Sequence, residues 1–294
     1  MRGPGRLRLL VTGAGGQLGH DVVASAGAAG DEVVGVDRAA LDVTDRDAVL
    51  GAITTLRPDA VVNCAAWTAV DACEDDPGRA YVANALSVRW IAEACDRVGA
   101  HLVHVSTDYV FDGTLDRPYH EWDVVGPQSV YGASKLAGER EAAALGPAAA
   151  IVRTSWVCGE HGSNMVATVL RLAPDRDGQV GALAFVDDQR GHPTFTADLA
   201  PVLRRLALDR RSGVHHVTNQ GAVSWYEFVG EVLRAAGHDP AMVRPISSAE
   251  LDPPRPAPRP ANSVLDNAVL RSAGIPLPRD FRQPLAELVE RLRR

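Results

Sequence analysis

Residues 7–19 constrain the fold more than any other stretch. Apart from Arg8, Leu7 to Val11 is an apolar run, the composition of a strand buried on both faces, and it leads straight into Thr12-Gly13-Ala14-Gly15-Gly16-Gln17-Leu18-Gly19. Helical periodicity begins at Leu18 and continues through Val22, Val23 and Ala26. A strand that turns on glycines into a helix lets backbone N–H groups approach a phosphate, and the helix N-terminus adds partial positive charge. The spacing is Gly13-x-x-Gly16-x-x-Gly19; the strict GxGxxG form would need glycine where Leu18 stands. Placed after the first strand, the turn predicts a nucleotide site at the carboxyl edge of a parallel sheet.

Strand-helix alternation continues. Val33 to Val36 predicts a second strand ending at Asp37-Arg38. An acid here takes an adenosine ribose 2′-OH and favours NAD, whereas the following Arg suits the 2′-phosphate of NADP. Both are present, so this position leaves the choice open. Thr44 or Asp45 is placed to cap the helix carrying Ala48, Val49 and Ile53, and Asp42 reads either as a turn residue or as an adenine contact. Ala60 to Asn63 is a third strand entering the small-residue loop Cys64-Ala-Ala-Trp67. A helix is expected from Pro77 through Val98, with Asn84 either on its surface or buried and ordering a neighbouring loop. His101 to Tyr109 holds the fourth strand and its exit. His101 and His104, three apart on a strand, face opposite ways and are poor partners for one metal. Thr107, just past the strand end, is placed to bond a substrate oxygen.

Composition matters most at one position. The chain has 30 Lys+Arg, and Lys135 is the sole lysine among them. It stands four residues after Tyr131, one of 5 tyrosines. At i and i+4 on a helix the two side chains share a face. A compact ammonium beside a phenol lowers the phenol pKa, and an Arg fork does not reproduce it. Tyr131 is therefore a candidate general acid.

The net charge of −7 and the lack of a basic tract argue against nucleic acid as a partner. No apolar run approaches the ~18 residues of a membrane span, and no signal-peptide pattern opens the chain, whose Arg2-Gly-Pro-Gly-Arg6 reads as a frayed tail. Cys64, Cys73, Cys95 and Cys158 show no metal or disulfide spacing, which points to a cytoplasmic protein. Ile151 to Arg153 predicts a fifth strand. Beyond Trp156 the alternation weakens. Ser163 or Asn164 is placed to cap the helix of Met165 to Leu172, or Asn164 to contact a nucleotide. Val214 to Val217 is a late strand whose His215 and His216 face opposite ways. Trp225, Phe228, Val229, Val232 and Leu233 form a core-facing stripe. Residues 252–260 read as an extended Pro-rich connection, and Val264 to Leu270 and Leu285 to Leu292 as closing helices.

Several longer strings carry a resemblance: Gly16-Gln-Leu-Gly19, Ala65-Ala-Trp-Thr-Ala-Val-Asp71, Ser106-Thr-Asp-Tyr-Val-Phe-Asp-Gly113, Val130-Tyr-Gly-Ala-Ser-Lys-Leu-Ala-Gly-Glu139, Val152-Arg-Thr-Ser-Trp-Val157, Asp188-Gln-Arg-Gly-His-Pro-Thr194 and Arg259-Pro-Ala-Asn-Ser-Val-Leu265. Over about residues 7–290 the chain resembles the extended short-chain dehydrogenase/reductases and, among them, the dTDP-4-dehydrorhamnose reductase family. The resemblance implies an α/β fold, a Rossmann-type doubly wound parallel sheet with a smaller, partly discontinuous α+β substrate lobe. Residues 1–157 would bind the dinucleotide, with about 195–218 returning to that domain; 158–194 and 219–294 would form the lobe. It implies reduction of the C4 ketone of a dTDP-4-keto-6-deoxy sugar by NADPH, with NADH open.

In that reading Thr107 polarises the carbonyl, Tyr131 donates the proton, and Lys135 lowers the Tyr131 pKa and holds the nicotinamide ribose. Further cofactor contacts would come from Gly13, Gly16, Gln17, Leu18, Gly19, Asp37, Arg38, Asp42, Val43, Ala65, Ala66 and Thr68. Val70, Asp71, Thr107, Asp108, Trp156 and Asn164 would meet the nucleotide sugar. No metal is implied, and a homodimer is open. Related nucleotide-sugar dehydratases carry Glu where this chain has Tyr109, which favours reduction over water elimination. Cys158 replaces a frequent aromatic and reads as a small core residue. The non-catalytic β subunit of methionine adenosyltransferase also resembles this family, but the intact Thr107, Tyr131 and Lys135 argue for an enzyme. An epimerase would show no net cofactor consumption.

Overall fold

The computed structural model describes residues 6–145, 148–173 and 179–294. Residues 2–5 of the expected frayed tail lie outside them. Six parallel strands form one sheet: β1 (Arg8–Thr12), β2 (Glu32–Val36), β3 (Ala60–Asn63), β4 (His101–Thr107), β5 (Ala149–Thr154) and β6 (Gly213–His216). Their spatial order is β6-β5-β4-β3-β1-β2. The longer helices are α1 (Gln17–Ala28), α2 (Arg46–Leu56), α3 (Ser87–Val98), α4 (Val130–Ala143), α5 (Met165–Leu172), α6 (Thr196–Leu208), α7 (Trp225–Ala235) and α8 (Arg282–Leu292).

The apolar run of β1 is continuous because both sheet faces are covered. Leu9 and Val11 pack under α1 and α6, while Leu10 packs on the opposite face with α2 and α3. From β1 the chain passes to β2 on one side and later to β3 on the other. The strand order reverses there, and the loops after β1 and β3 diverge around a crevice. A second core, of α5, α7, α8 and the paired strands Leu183–Val186 and Val243–Ile246, lies outside the sheet. Phe228, Val229, Val232 and Leu233 are buried there as their periodicity predicts, and so is Cys158. All four cysteines are free. No helix among the described residues is long and apolar enough to cross a membrane.

Two helix expectations need correction. The segment from Pro77 to Val98 is not one regular helix: Pro77–Tyr81 passes through a π turn, Val82–Leu86, before α3. One extra residue in a turn leaves the apolar spacing nearly unchanged, so periodicity does not reveal it. The closing helix also starts late, at Ala268–Ser272. Val264 and Leu265 are extended instead, because the Tyr119 N–H donates to the Val264 carbonyl and the Asp266 N–H to the Tyr119 carbonyl.

Candidate active site

The glycine turn is built by close backbone approach. Gly13 has φ +69°, and a Cβ there would lie 2.8 Å from the Ala65 nitrogen. At Gly19 a Cβ would lie 2.2 Å from the Gly13 carbonyl oxygen, so the third glycine lets α1 pack on the turn. No side chain caps α1, which leaves the N–H groups of its first turn available. Above the turn lies a cleft of about 630 Å³. Of the expected cofactor residues, Gly13, Gly16, Asp37, Arg38, Asp42, Val43, Ala65 and Ala66 line it, together with Cys64, Trp67 and Arg79. Asp42 also accepts from the Thr44 N–H and hydroxyl at 2.9 and 2.7 Å, which bears out the turn reading of it. Asp45 caps α2.

The remaining expected cofactor contacts sit elsewhere. The Leu18 side chain belongs to the core, leaving only its backbone for a ligand. Gln17 turns to the second core: its Oε1 accepts from the Gly159 N–H and from Asn164 Nδ2, both at 3.0 Å. Thr68 is exposed on the loop beyond Trp67.

Tyr131 and Lys135 lie on α4, whose start is capped by Ser129. Glycines seat this helix closely. A Cβ at Gly132 would lie 2.2 Å from the Tyr109 carbonyl oxygen, and one at Gly138 2.1 Å from that of Asn84. Asn84 is buried in the π turn. It accepts from the Trp67 N–H at 2.8 Å and donates to the Trp67 carbonyl and Ser134 Oγ at 3.1 and 3.0 Å. Of the two readings of Asn84, the loop-ordering one holds, and it ties the cleft wall to the helix of Tyr131.

Thr107, Asp108, Tyr109, Tyr131 and Val70 come together at the exit of β4. Tyr131 packs with Val70, Trp67 and Tyr109, its ring meeting Tyr109 edge-on at 5.8 Å. Thr107 Oγ1 donates to Asp108 Oδ1 at 2.9 Å. Burial pushes the Asp108 carboxyl up to about 6, against hydrogen bonds that include Thr107.

The expected convergence of Lys135 on Tyr131 is not what the side chains do. Lys135 Nζ donates to the Val105 carbonyl at 2.7 Å, because a buried ammonium needs an acceptor and β4 supplies one. Burial lowers the Lys135 pKa to about 8, with Glu139 opposing. Tyr131 is shifted the other way from the expectation: burial raises its phenol above the ordinary value, and the Thr107 hydroxyl, not Lys135, partly offsets this.

Three expected substrate contacts are engaged with protein groups. Asp71 holds Arg259 through two oxygens at 2.5 and 2.7 Å and accepts from the Ala257 N–H. Trp156, at φ +44°, stacks on Trp225 with centroids 3.6 Å apart. Asn164 caps α5 through Oδ1 and spends its amide on Gly159 and Gln17. Two buried networks join residues that the sequence reading does not link. Thr12 donates to Asn63 at 2.7 Å, and the Asn63 amide meets His104 Nδ1 at 3.1 Å. Glu139 accepts from Ser106 at 2.6 Å and pairs with Arg153 at 2.9 and 2.8 Å.

The family profile described as RmlD substrate binding domain matches residues 7–294. The chain belongs to this family. It is 44% identical over 288 residues to a protein of Streptomyces griseus named dTDP-4-dehydrorhamnose reductase, covering 96% of this chain and 93% of the relative. It is 42% identical over 285 residues to a protein of Streptomyces antibioticus named probable dTDP-4,6-dihydroxy-2-methyloxan-3-one 4-ketoreductase, covering 96% and 94%. The solved structure of a Bacillus anthracis dTDP-4-dehydrorhamnose reductase in complex with NADP superposes with a TM-score of 0.88 at 35% identity, covering 98% of each chain.

Proposed function

We propose that this chain reduces the C4 ketone of dTDP-4-dehydrorhamnose to dTDP-L-rhamnose, using NADPH. The observation that carries the reading is the Tyr131 phenol, buried against Thr107 beside the glycine-turn cleft, in a chain related to named reductases over nearly its whole length. The cleft fits a dinucleotide: Gly13, Gly15 and Gly16 line it without side chains, the start of α1 is uncapped, and Arg38 stands on the wall for a 2′-phosphate. When bound there, NADPH supplies the hydride.

The chain's own groups handle the oxygen. Thr107 and Tyr131 bond the C4 carbonyl oxygen, and the Tyr131 O–H gives it a proton as the C4–H bond forms. A raised phenol pKa does not prevent this, because an alkoxide is a much stronger base than a phenolate. Lys135 holds a positive charge beneath the strand end, bonded to the Val105 carbonyl, and in this reading it turns that charge to the nicotinamide ribose when the cofactor binds. Arg255 and Arg259 bring positive charge near Tyr109, suited to a nucleotide diphosphate. The two-core architecture supports assigning residues 158–194 and 219–294 to a substrate lobe. The 42% relative named as another 4-ketoreductase favours a second reading, the same chemistry on a different dTDP-4-keto-6-deoxy sugar. Incubation with NADPH and a panel of such sugars, with the product stereoisomer assigned by NMR, decides between them. No NADPH consumption with any member overturns both.

A further inference from the structure

Outside the cleft, at the junction of α1 with the segment that follows β5, three ligand-bearing side chains from two distant parts of the chain converge. His20 and Asp21 lie in α1, and His161 lies in the loop between Cys158 and α5. One ligand atom from each lies within 4.8 Å of the others. The two imidazoles are 3.5 Å apart between ring centroids, and His20 Nδ1 is 3.5 Å from Asp21 Oδ1. Among the described residues, no hydrogen bond engages either imidazole. In a tetrahedral zinc site the ligand atoms stand about 3.3 Å apart, so side-chain adjustments on the order of 1 Å close this set around an ion.

The surroundings hold the set in place. The other carboxylate oxygen of Asp21 accepts from the Thr196 hydroxyl, the kind of outer contact that orients a metal-binding carboxylate. The loop carrying His161 is pinned to α1 by Gln17, which accepts from Gly159 and Asn164 and donates to the Ser163 carbonyl at 3.3 Å. Two imidazole nitrogens and one carboxylate oxygen suit zinc, nickel or cobalt, whereas magnesium and calcium favour all-oxygen sets.

We propose that His20, Asp21 and His161 form a binding site for a divalent transition-metal ion of the zinc class, cross-linking α1 to the 159–164 loop. The ion bridges the helix that begins at the glycine turn and the entry to the second core. This cross-link is independent of the reduction chemistry proposed above.

The test uses tag-free full-length protein stripped with a chelator, titrated with Zn²⁺ in a calorimeter and with Co²⁺ in a spectrophotometer. One equivalent binds, Tm rises with Zn²⁺, Mg²⁺ does not compete, and the Co²⁺ bands show nitrogen and oxygen ligation. His20→Ala and His161→Ala, both on solvent-accessible positions, each weaken binding at least about a hundredfold and abolish the Tm shift. Thr196→Val weakens it about tenfold, at the low end for loss of an outer contact. Absence of saturable binding overturns the proposal. So does binding that survives in both His variants, or a Co²⁺ spectrum carrying thiolate charge transfer from Cys64.

Discussion

Tyr131 is the residue on which the proposed proton transfer depends, and its environment is apolar. Tyr131→Phe keeps the packing against Val70, Trp67 and Tyr109 and removes only the O–H. The expected result is a kcat loss of about 10²–10⁴-fold, the usual range for a general acid, with NADPH affinity unchanged by fluorescence titration. Lys135 gives a pH signature. Its pKa is lowered from 10.5 to about 8 by burial, so the ammonium is lost as pH rises through about 8. Activity that needs the charge falls on that alkaline limb. The linkage has the opposite sign for folding: the unfolded chain holds this proton up to 10.5, so this group's contribution to stability rises with pH between about 8 and 10.5. Lys135→Arg stays charged, and its kcat–pH profile loses the limb near 8. Its rate also falls at least about tenfold, because a guanidinium fork does not fit the single Val105 carbonyl.

At the scale of elements, glycine placement decides how α4 meets the π turn. Gly→Ala inside a helix ordinarily gains about 0.5–1 kcal/mol. At Gly138 the added Cβ would stand 2.1 Å from the Asn84 carbonyl oxygen, and overpacking of this kind costs about 1–3 kcal/mol. The clash wins. Gly138→Ala is expected to lower stability in urea melts and, by moving Asn84, to loosen the Trp67 loop. The sequence showed that α4 exists and carries Tyr131 and Lys135, because a lone lysine at i+4 from a tyrosine is a local pattern. The π turn was not legible, because Asn84 keeps the same place in the apolar periodicity with or without it. β1, the glycine turn and α1 were legible for the same local reason. The direction of the Lys135 ammonium was not, since an acceptor on β4, 30 residues upstream, is a tertiary fact. Asn164 was legible as a cap because capping is local; its bond to Gln17, 147 positions away, was not.

On the scale of the whole molecule, the Pro-rich segment after residue 252 returns to the short helix Val70–Asp75 that follows β3, and Asp71 is where it fastens. Arg259 is 7% exposed in its side chain, whereas Asp71 is 44% exposed. Removing the carboxylate therefore strands a mostly buried guanidinium, while the partner's exposure screens part of the loss. The expected cost lies below the 3–5 kcal/mol of a fully buried pair, at about 1–3 kcal/mol. Asp71→Asn keeps the side-chain volume and isolates the charge. If Asp71 acts by contacting the sugar nucleotide directly, the variant raises KM and leaves Tm unchanged. Its present geometry, two oxygens on Arg259 and one on the Ala257 N–H, requires more. Tm falls, KM for the nucleotide sugar rises as Arg255 and Arg259 lose their position near Tyr109, and NADPH affinity stays as in the wild type. Thermal melts read beside steady-state kinetics separate the two, and an unchanged Tm with a raised KM rules out the fastening role.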